Sequence, residues 1–168
     1  QAQQRIGKKI TLNTGARMET YSVDSEKLDE SIAPQVALNW RALEWLSFRG
    51  SVSRGFRVPS VAEMYTQTQL NIFQVEPNPN LKAESSQGGE VGLTVQIPGN
   101  SLASNIKFDL AAFSSTFDQL IVANPNEKGI IHFENLTDAR ISGLEVGLSG
   151  AMLNKSLLFS TAYTHLNP

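Results

Sequence analysis

The chain reads as all-β: an antiparallel up-and-down meander of about seven strands. Three observations predict it. Apolar and polar residues alternate with a period of two over most of the length, sustained helical periodicity is nearly absent, and the connections alternate between short and long. The clearest strand, residues 45–54, puts Leu46, Phe48, Gly50 and Val52 on one face and Ser47, Arg49, Ser51 and Ser53 on the other.

The other strands follow in order. In residues 9–21, Ile10, Leu12, Ala16 and Met18 alternate with Lys9, Thr11, Asn13, Arg17 and Glu19. In residues 32–41, Val36, Leu38 and Trp40 oppose Gln35, Asn39 and Arg41. Residues 84–97 set Val91, Leu93, Val95 and Ile97 against Glu90, Thr94 and Gln96, and strands follow at 105–122, 130–150 and 156–165. Gly50 and Gly89 interrupt two of the apolar faces. The sixth strand changes parity: Ile131, Phe133 and Ile141 share one face, but Leu144, Val146 and Leu148 share the other. A bulge near Ser142-Gly143 would cause this. So would a strand whose upper part stands clear of a membrane.

The connection at 22–31 is long, 42–44 short and 55–83 very long; 98–104 is a compact turn with Pro98-Gly99-Asn100 as its breaker, 124–129 is moderate and 152–155 short. Short turns on one side and longer loops on the other is the connectivity of outer-membrane barrels. Trp40 and Trp45 bracket the short turn at 42–44, where an interfacial aromatic girdle sits. The fold class is therefore a partial transmembrane β-barrel. The rival reading is a soluble β-sandwich serving as a carbohydrate-binding or adhesion module, with the same apolar faces packed on a second sheet.

Composition narrows the function classes. The 168 residues are 40% hydrophobic with net charge −2, so no basic excess points to nucleic acid. The absence of cysteine removes a disulfide framework, a thiolate metal site and a cysteine nucleophile. No window approaches the eighteen apolar residues of a transmembrane helix.

Three phrases stand in order along the chain: Ser53-Arg54-Gly55-Phe56-Arg57-Val58-Pro59-Ser60, then Asn78-Pro79-Asn80-Leu81-Lys82-Ala83-Glu84, then Asn135, Ala139, Gly143 and Glu145 at spacings of four, four and two. Together they resemble the C-terminal half of the barrel of TonB-dependent outer-membrane receptors, whose wording is SxGFRxPS, NPxLKPE and NxxxAxxxGxE. The resemblance implies an outer-membrane location, lipid contact, a small nutrient ligand such as a ferric siderophore or cobalamin, and the TonB energy-coupling protein as partner. It implies a partial barrel over residues 1–168 with the plug domain absent. Transporters of this kind need about 22 strands around a plugged lumen, so this segment alone would not transport, and in isolation it would self-associate. Arg54, Gly55, Phe56, Arg57, Pro59, Asn135, Gly143 and Glu145 take structural roles in this reading. Gly55 would supply an unusual backbone angle, and Pro59 would fix the exit of the loop.

No acid–base pair, nucleophile arrangement or cofactor motif is visible, so the chain reads as no enzyme and as needing no cofactor. His132 and His165 lack metal-ligand spacing. The acidic residues Asp24, Glu26, Asp29 and Glu30 surround Lys27 without the glycine turn of a calcium loop, which favours a solvated loop. Lys107 and Asp109 share a strand face and are placed to pair. Ligand contact is expected from the long 55–83 connection through Tyr65, Gln67, Gln69, Asn71, Phe73 and Gln74, a polar–aromatic mixture suited to hydrogen bonding and stacking.

Overall fold

A computed structural model describes residues 1–23, 26–69, 74–100 and 103–167; the side chains of residues 21–30 and 137 also lie outside it. The elements are β1 (Ala2–Ile6), β2 (Ile10–Val23), β3 (Glu26–Arg41), β4 (Leu46–Arg57), α1 (Val61–Tyr65), β5 (Thr68–Gln69), β6 (Gln74–Glu76), β7 (Glu84–Gly99), β8 (Ala103–Pro125), β9 (Ile130–Met152) and β10 (Leu157–Asn167). They form one open ten-stranded sheet ordered β1-β2-β3-β4-β7-β8-β9-β6-β5, with β10 beside β9. The seven expected strands are all present as an antiparallel meander. Three short strands escaped the sequence: β1 pairs with β2, and the β5–β6 ribbon joins β9 in parallel.

The register explains the alternation. Leu46, Val95, Phe108 and Leu148 are paired partners across β4, β7, β8 and β9. The next row outward is Phe48, Leu93, Leu110 and Val146, and then Gly50, Val91, Ala112 and Leu144. Partners in a ladder share a face, so these rows make one apolar belt, continued by Leu38 and Trp40 of β3 and by Ile10 and Leu12 of β2. Arg17, Arg49 and Glu90 lie on the opposite face, as their parity requires. Val91 is 65% exposed and Met18 62% exposed, and among the described residues the buried apolar side chains are Met64, Leu81, Ala111, Ile121 and Ala151. So large a wet apolar face on so small a core needs an outside apolar medium.

The parity change in β9 has no bulge behind it. The β8–β9 register runs unbroken past Ser142 and Gly143, and the only irregularity lies between Ser104 and Lys107. Instead β9 is 23 residues long, while crossing a bilayer takes about 9–11. Leu144, Val146 and Leu148 belong to the belt. Farther out the belt is left behind, and Phe133 turns to the inner side to pack on Met64, Leu81 and Ile121.

The connections differ from expectation in the same way. β2 runs to Val23 and β3 starts at Glu26, so the long loop expected at 22–31 is mostly strand. β4 continues through Arg57, so the long connection begins at Val58 rather than Gly55, and it contains α1, β5 and β6. The short turns behave as expected. β3 and β4 pair as a hairpin around 42–45, and Trp40 stacks on its partner Phe48 with ring centroids 5.6 Å apart. At the β7–β8 turn Gly99 adopts φ +73°, and any Cβ there would collide with the Ala103 carbonyl.

Candidate functional site

The three sequence phrases, the first ending at Ser60 and the last starting at Asn135, meet at the outer end of the sheet. Arg57 closes β4 and Glu84 opens β7, and the two are register partners. The Arg57 guanidinium grips Glu84 with two parallel bonds, Nε to Oε2 at 2.8 Å and Nη2 to Oε1 at 2.9 Å. Its Nη1 also reaches both oxygens of Glu63 at 3.1 Å. Glu84 Oε1 accepts the Ile121 N–H at 2.6 Å, which ties β8 into the same cluster.

α1 is short, and its N-terminus explains why it forms at all. Ser60 is the cap: its Oγ accepts the Glu63 N–H at 3.3 Å, and the Glu63 carboxylate takes the Ser60 N–H at 2.7 Å. This reciprocal box satisfies two donors that a helix start leaves orphaned. Buried Pro59 precedes the cap and holds the chain at the entry angle. Asn78 then anchors the return of the loop, donating its N–H to the Glu63 carbonyl at 3.0 Å and its Nδ2 to the Phe133 carbonyl at 2.9 Å.

Asn135 completes the junction. Its Oδ1 accepts the Lys82 N–H at 2.9 Å, and its Nδ2 donates to the Lys82 carbonyl at 3.0 Å and to the Gln119 carbonyl at 2.7 Å. The side chain thus acts as one step of a β-ladder to the loop. Gln119 sits at φ +57°, an uncommon conformation for a side-chain-bearing residue that this bond helps to hold.

Arg57, Glu63 and Glu84 lie well beyond the apolar belt, and their charges are mutually fixed. The Arg57 guanidinium holds the Glu84 carboxyl below its ordinary value, more than offsetting burial. Burial alone would raise Glu63, but Ser60 and Arg57 outweigh it and leave that carboxyl lowered too. Arg57 is correspondingly raised, chiefly by its bonds to Glu84.

The other motif residues are placed differently. Gly55 has no positive φ, so the unusual backbone angle expected there is absent; a Cβ would lie 2.7 Å from Ser86 Oγ, which crowds the position from the neighbouring strand. Phe56 lies under the Arg17 guanidinium, 4.6 Å from ring centroid to Cζ, and its carbonyl accepts from Arg17 Nη2 at 3.1 Å. A Cβ on Gly143 would meet the Phe113 ring at 2.7 Å and the His165 carbonyl at 2.6 Å. Arg54 and Glu145 are exposed, Arg54 on the belt face and Glu145 on the inner one.

On the inner face below the junction, Arg49 bonds Glu90 and Asp109, each at 2.7 Å. Lys107 does pair with Asp109, at 3.3 Å, and Thr94 donates to the same carboxylate at 2.8 Å. A Cβ on Gly92 would meet Arg49 Cζ at 2.7 Å, so the bare backbone gives the guanidinium room to lie flat.

Of the expected ligand residues, Tyr65 ends α1 and is exposed, and Gln67 and Gln69 are exposed beside it. Gln74 starts β6 and donates to Glu76 at 3.3 Å. Asn71 and Phe73 lie outside the described residues. His132 is brought to Glu76 at 3.3 Å by the parallel β6–β9 pairing, a neighbour that spacing could not reveal. Among the described residues no group of three or more metal-ligating side chains occurs. Sequence reasoning missed the working roles of Ser60, Glu63, Asn78 and Glu84, although all four lie in or beside the quoted phrases.

Comparison with known proteins agrees with this architecture. The family described as TonB dependent receptor-like, beta-barrel matches residues 1–168. The Heme/hemopexin utilization protein C of Haemophilus influenzae is 25% identical over 84% of this chain, and the Hemin receptor of Yersinia pestis is 22% identical over 90%. The chain spans about a quarter of the length of each, 24% and 25%. Among solved structures, the siderophore receptor PirA from Pseudomonas aeruginosa superimposes with a TM-score of 0.74 at 20% identity, covering 99% of this chain and 30% of that one. The Serratia marcescens hemophore receptor HasR, solved with its hemophore HasA and heme, gives 0.73 at 20% identity, covering 95% and 32%. A belt-faced open sheet, an outer junction built from three family phrases and a match over the whole chain lead to one conclusion: the chain belongs to the TonB-dependent receptor β-barrel family, whose members are outer-membrane barrels of Gram-negative bacteria.

Proposed function

We propose that this chain is a portion of the barrel wall of a receptor for energy-coupled nutrient uptake, and that heme is the class of ligand. The single observation that carries the uptake reading is the junction at Arg57, Glu84 and Asn135. It ties the α1 and Asn78–Glu84 parts of the loop over the outer end of a wall that is apolar outside and charged inside. The relatives named for heme and hemin support the ligand class. Tyr65, Gln67, Gln69 and Gln74 stand on that loop, where a flat aromatic ligand can stack on Tyr65 and take hydrogen bonds from the glutamines. The rest of the barrel, a plug and the TonB protein complete the machine.

The test is growth of the parent organism on hemin as sole iron source. Deleting the receptor gene is expected to abolish growth on hemin, as is loss of TonB, and Tyr65→Ala with Gln67→Ala in the full receptor to weaken hemin binding about tenfold. Undiminished growth on hemin with lost uptake of a siderophore or cobalamin would replace the ligand class.

The belt also has a consequence for the isolated chain. Unpaired sheet edges and an apolar face of several hundred Å² seek cover. Sedimentation of residues 1–168 is expected to give oligomers without detergent and a micelle-bound monomer with it. A monomer without detergent would contradict the lipid-facing assignment.

A further inference from the structure

Beyond the last belt row come Val52, Gly89, Ser114 and Ser142, and the row after that is wholly polar and not random. Arg54 pairs with Gln87, Gln87 with Thr116, and Thr116 with Arg140, so four hydrogen-bonding side chains cross β4, β7, β8 and β9 in one line on the belt face. Two guanidinium groups end the line, three strand spacings or about 14 Å apart at the backbone. Arg54, Gln87, Thr116 and Arg140 are all exposed. Arg140 leans toward the belt, its Nε donating to Ser114 Oγ at 3.4 Å. Neither Arg54 nor Arg140 faces the lumen or takes part in the junction.

Beneath the Arg54 end lies a cavity of about 730 Å³. It exists because Gly89, the register partner of Val52, leaves the belt face bare there. Val36 and Val52 line its belt side, while Arg54, Gln87 and Thr116 line its outer side. The surface is therefore amphipathic along the strand direction: an apolar slot below, and a line of donors with two fixed positive charges above.

We propose that this row is a binding site for a phosphate-bearing lipid of the outer leaflet, its phosphate held by Arg54 and Arg140 and an acyl chain seated over Gly89 between Val36 and Val52. Charge and shape select the occupant. Guanidinium groups match phosphate oxygens with two parallel bonds, and a soluble anion would have no use for the valine-lined slot. The next row outward carries Asp118 opposite Asp138. Those carboxylates repel a second negative group placed farther out, so the phosphate seats at the arginine row and the remainder of the headgroup extends past it. The proposal is independent of the ligand transported through the lumen.

The full-length receptor tests it in nanodiscs of neutral lipid doped with a phosphate-bearing lipid or with the same lipid lacking its phosphate, using native mass spectrometry to count retained lipid. The wild type is expected to retain the phosphate-bearing lipid at least tenfold over the phosphate-free one. Arg54→Gln with Arg140→Gln is expected to cut that preference about fivefold or more, with hemin binding and thermal unfolding unchanged. Lys155→Gln, at the opposite end of the sheet, keeps it. Gly89→Leu, which fills the slot, is expected to lower retention without removing either charge. Equal preference in wild type and double variant would overturn the site. Displacement of the lipid by millimolar inorganic phosphate would overturn its assignment to lipid.

Discussion

Replacing Glu84 with alanine in the full-length receptor is expected to open the outer loop, speeding amide exchange across α1 and the Asn78–Leu81 turn by one to three orders of magnitude. Glu84 alone joins three elements: it receives both arms of Arg57 and the N–H of Ile121. Its removal leaves a guanidinium and a backbone donor without their acceptor, and the side chain is only 14% exposed. Losing one partner of such a charge-assisted set costs about 2–4 kcal/mol. Glu84→Gln keeps the shape and one acceptor, and a smaller effect is expected from it. Belt residues such as Val95 provide the internal control, because their ladder bonds do not pass through the junction. Unchanged exchange in α1 would show that the loop is held by the Met64–Leu81–Ile121 packing alone.

The same carboxylates set a pH dependence. Glu63 and Glu84 are both held below their ordinary values in the folded state. A lowered carboxyl contributes stability that is complete above its unfolded value, about pH 4.3, and is lost as pH falls from there through the lowered folded value. Loop protection is therefore expected to be flat from neutrality to about pH 5 and to decline only in more acidic solution. Alanine at Glu84 removes much of that decline.

What could be read from the sequence and what could not divide along a physical line. The belt is legible because each strand meets a uniform medium on one face, and a period of two records that directly: alternation alone puts Phe48, Leu93 and Val95 on the apolar faces of their strands. The outer end was not legible in that way. There the determining contacts are single hydrogen bonds between distant positions, such as Asn135 with Lys82 or Glu84 with Ile121, and no local period encodes them. Strand extent failed for a related reason. Once β8 and β9 leave the belt, no apolar medium lines their outer face, only scattered contacts such as that of Phe133 mark the inner one, and alternation no longer shows where they end. The parity change at Leu144 is the visible trace of that exit; sequence alone leaves it level with a bulge, because both events move apolar residues to the other face. Gly55 shows the limit of residue-type reasoning: the left-handed angle that glycine suggests is absent, and what lies close to the position is the Ser86 hydroxyl of the neighbouring strand.

Asn135→Ala is expected to be the other severe change, and its signature differs from that of Glu84. The amide makes three bonds, one accepted and two donated, and none involves a charged group. Truncation frees the Lys82 N–H, the Lys82 carbonyl and the Gln119 carbonyl together, at about 1 kcal/mol or more for each group left without a partner. Asn135→Asp separates the two functions of the side chain. The aspartate still accepts from the Lys82 N–H, but it turns an acceptor toward two carbonyl oxygens, so its loss is expected to approach that of alanine despite near-identical size. Two regions should respond at once: the Leu81–Glu84 entry to β7, and β8 around Gln119, whose left-handed backbone loses the bond that helps to hold it. The Glu84 variant acts on α1 through Arg57 and Glu63, whereas Asn135 touches neither, so α1 protection is expected to fall less here. Because the amide does not titrate, the Asn135→Ala loss is expected to be independent of pH between about 5 and 8. Exchange measured on the full receptor at two pH values checks both points, and a loss confined to α1 or steeply dependent on pH would show that Asn135 acts through the ion cluster after all.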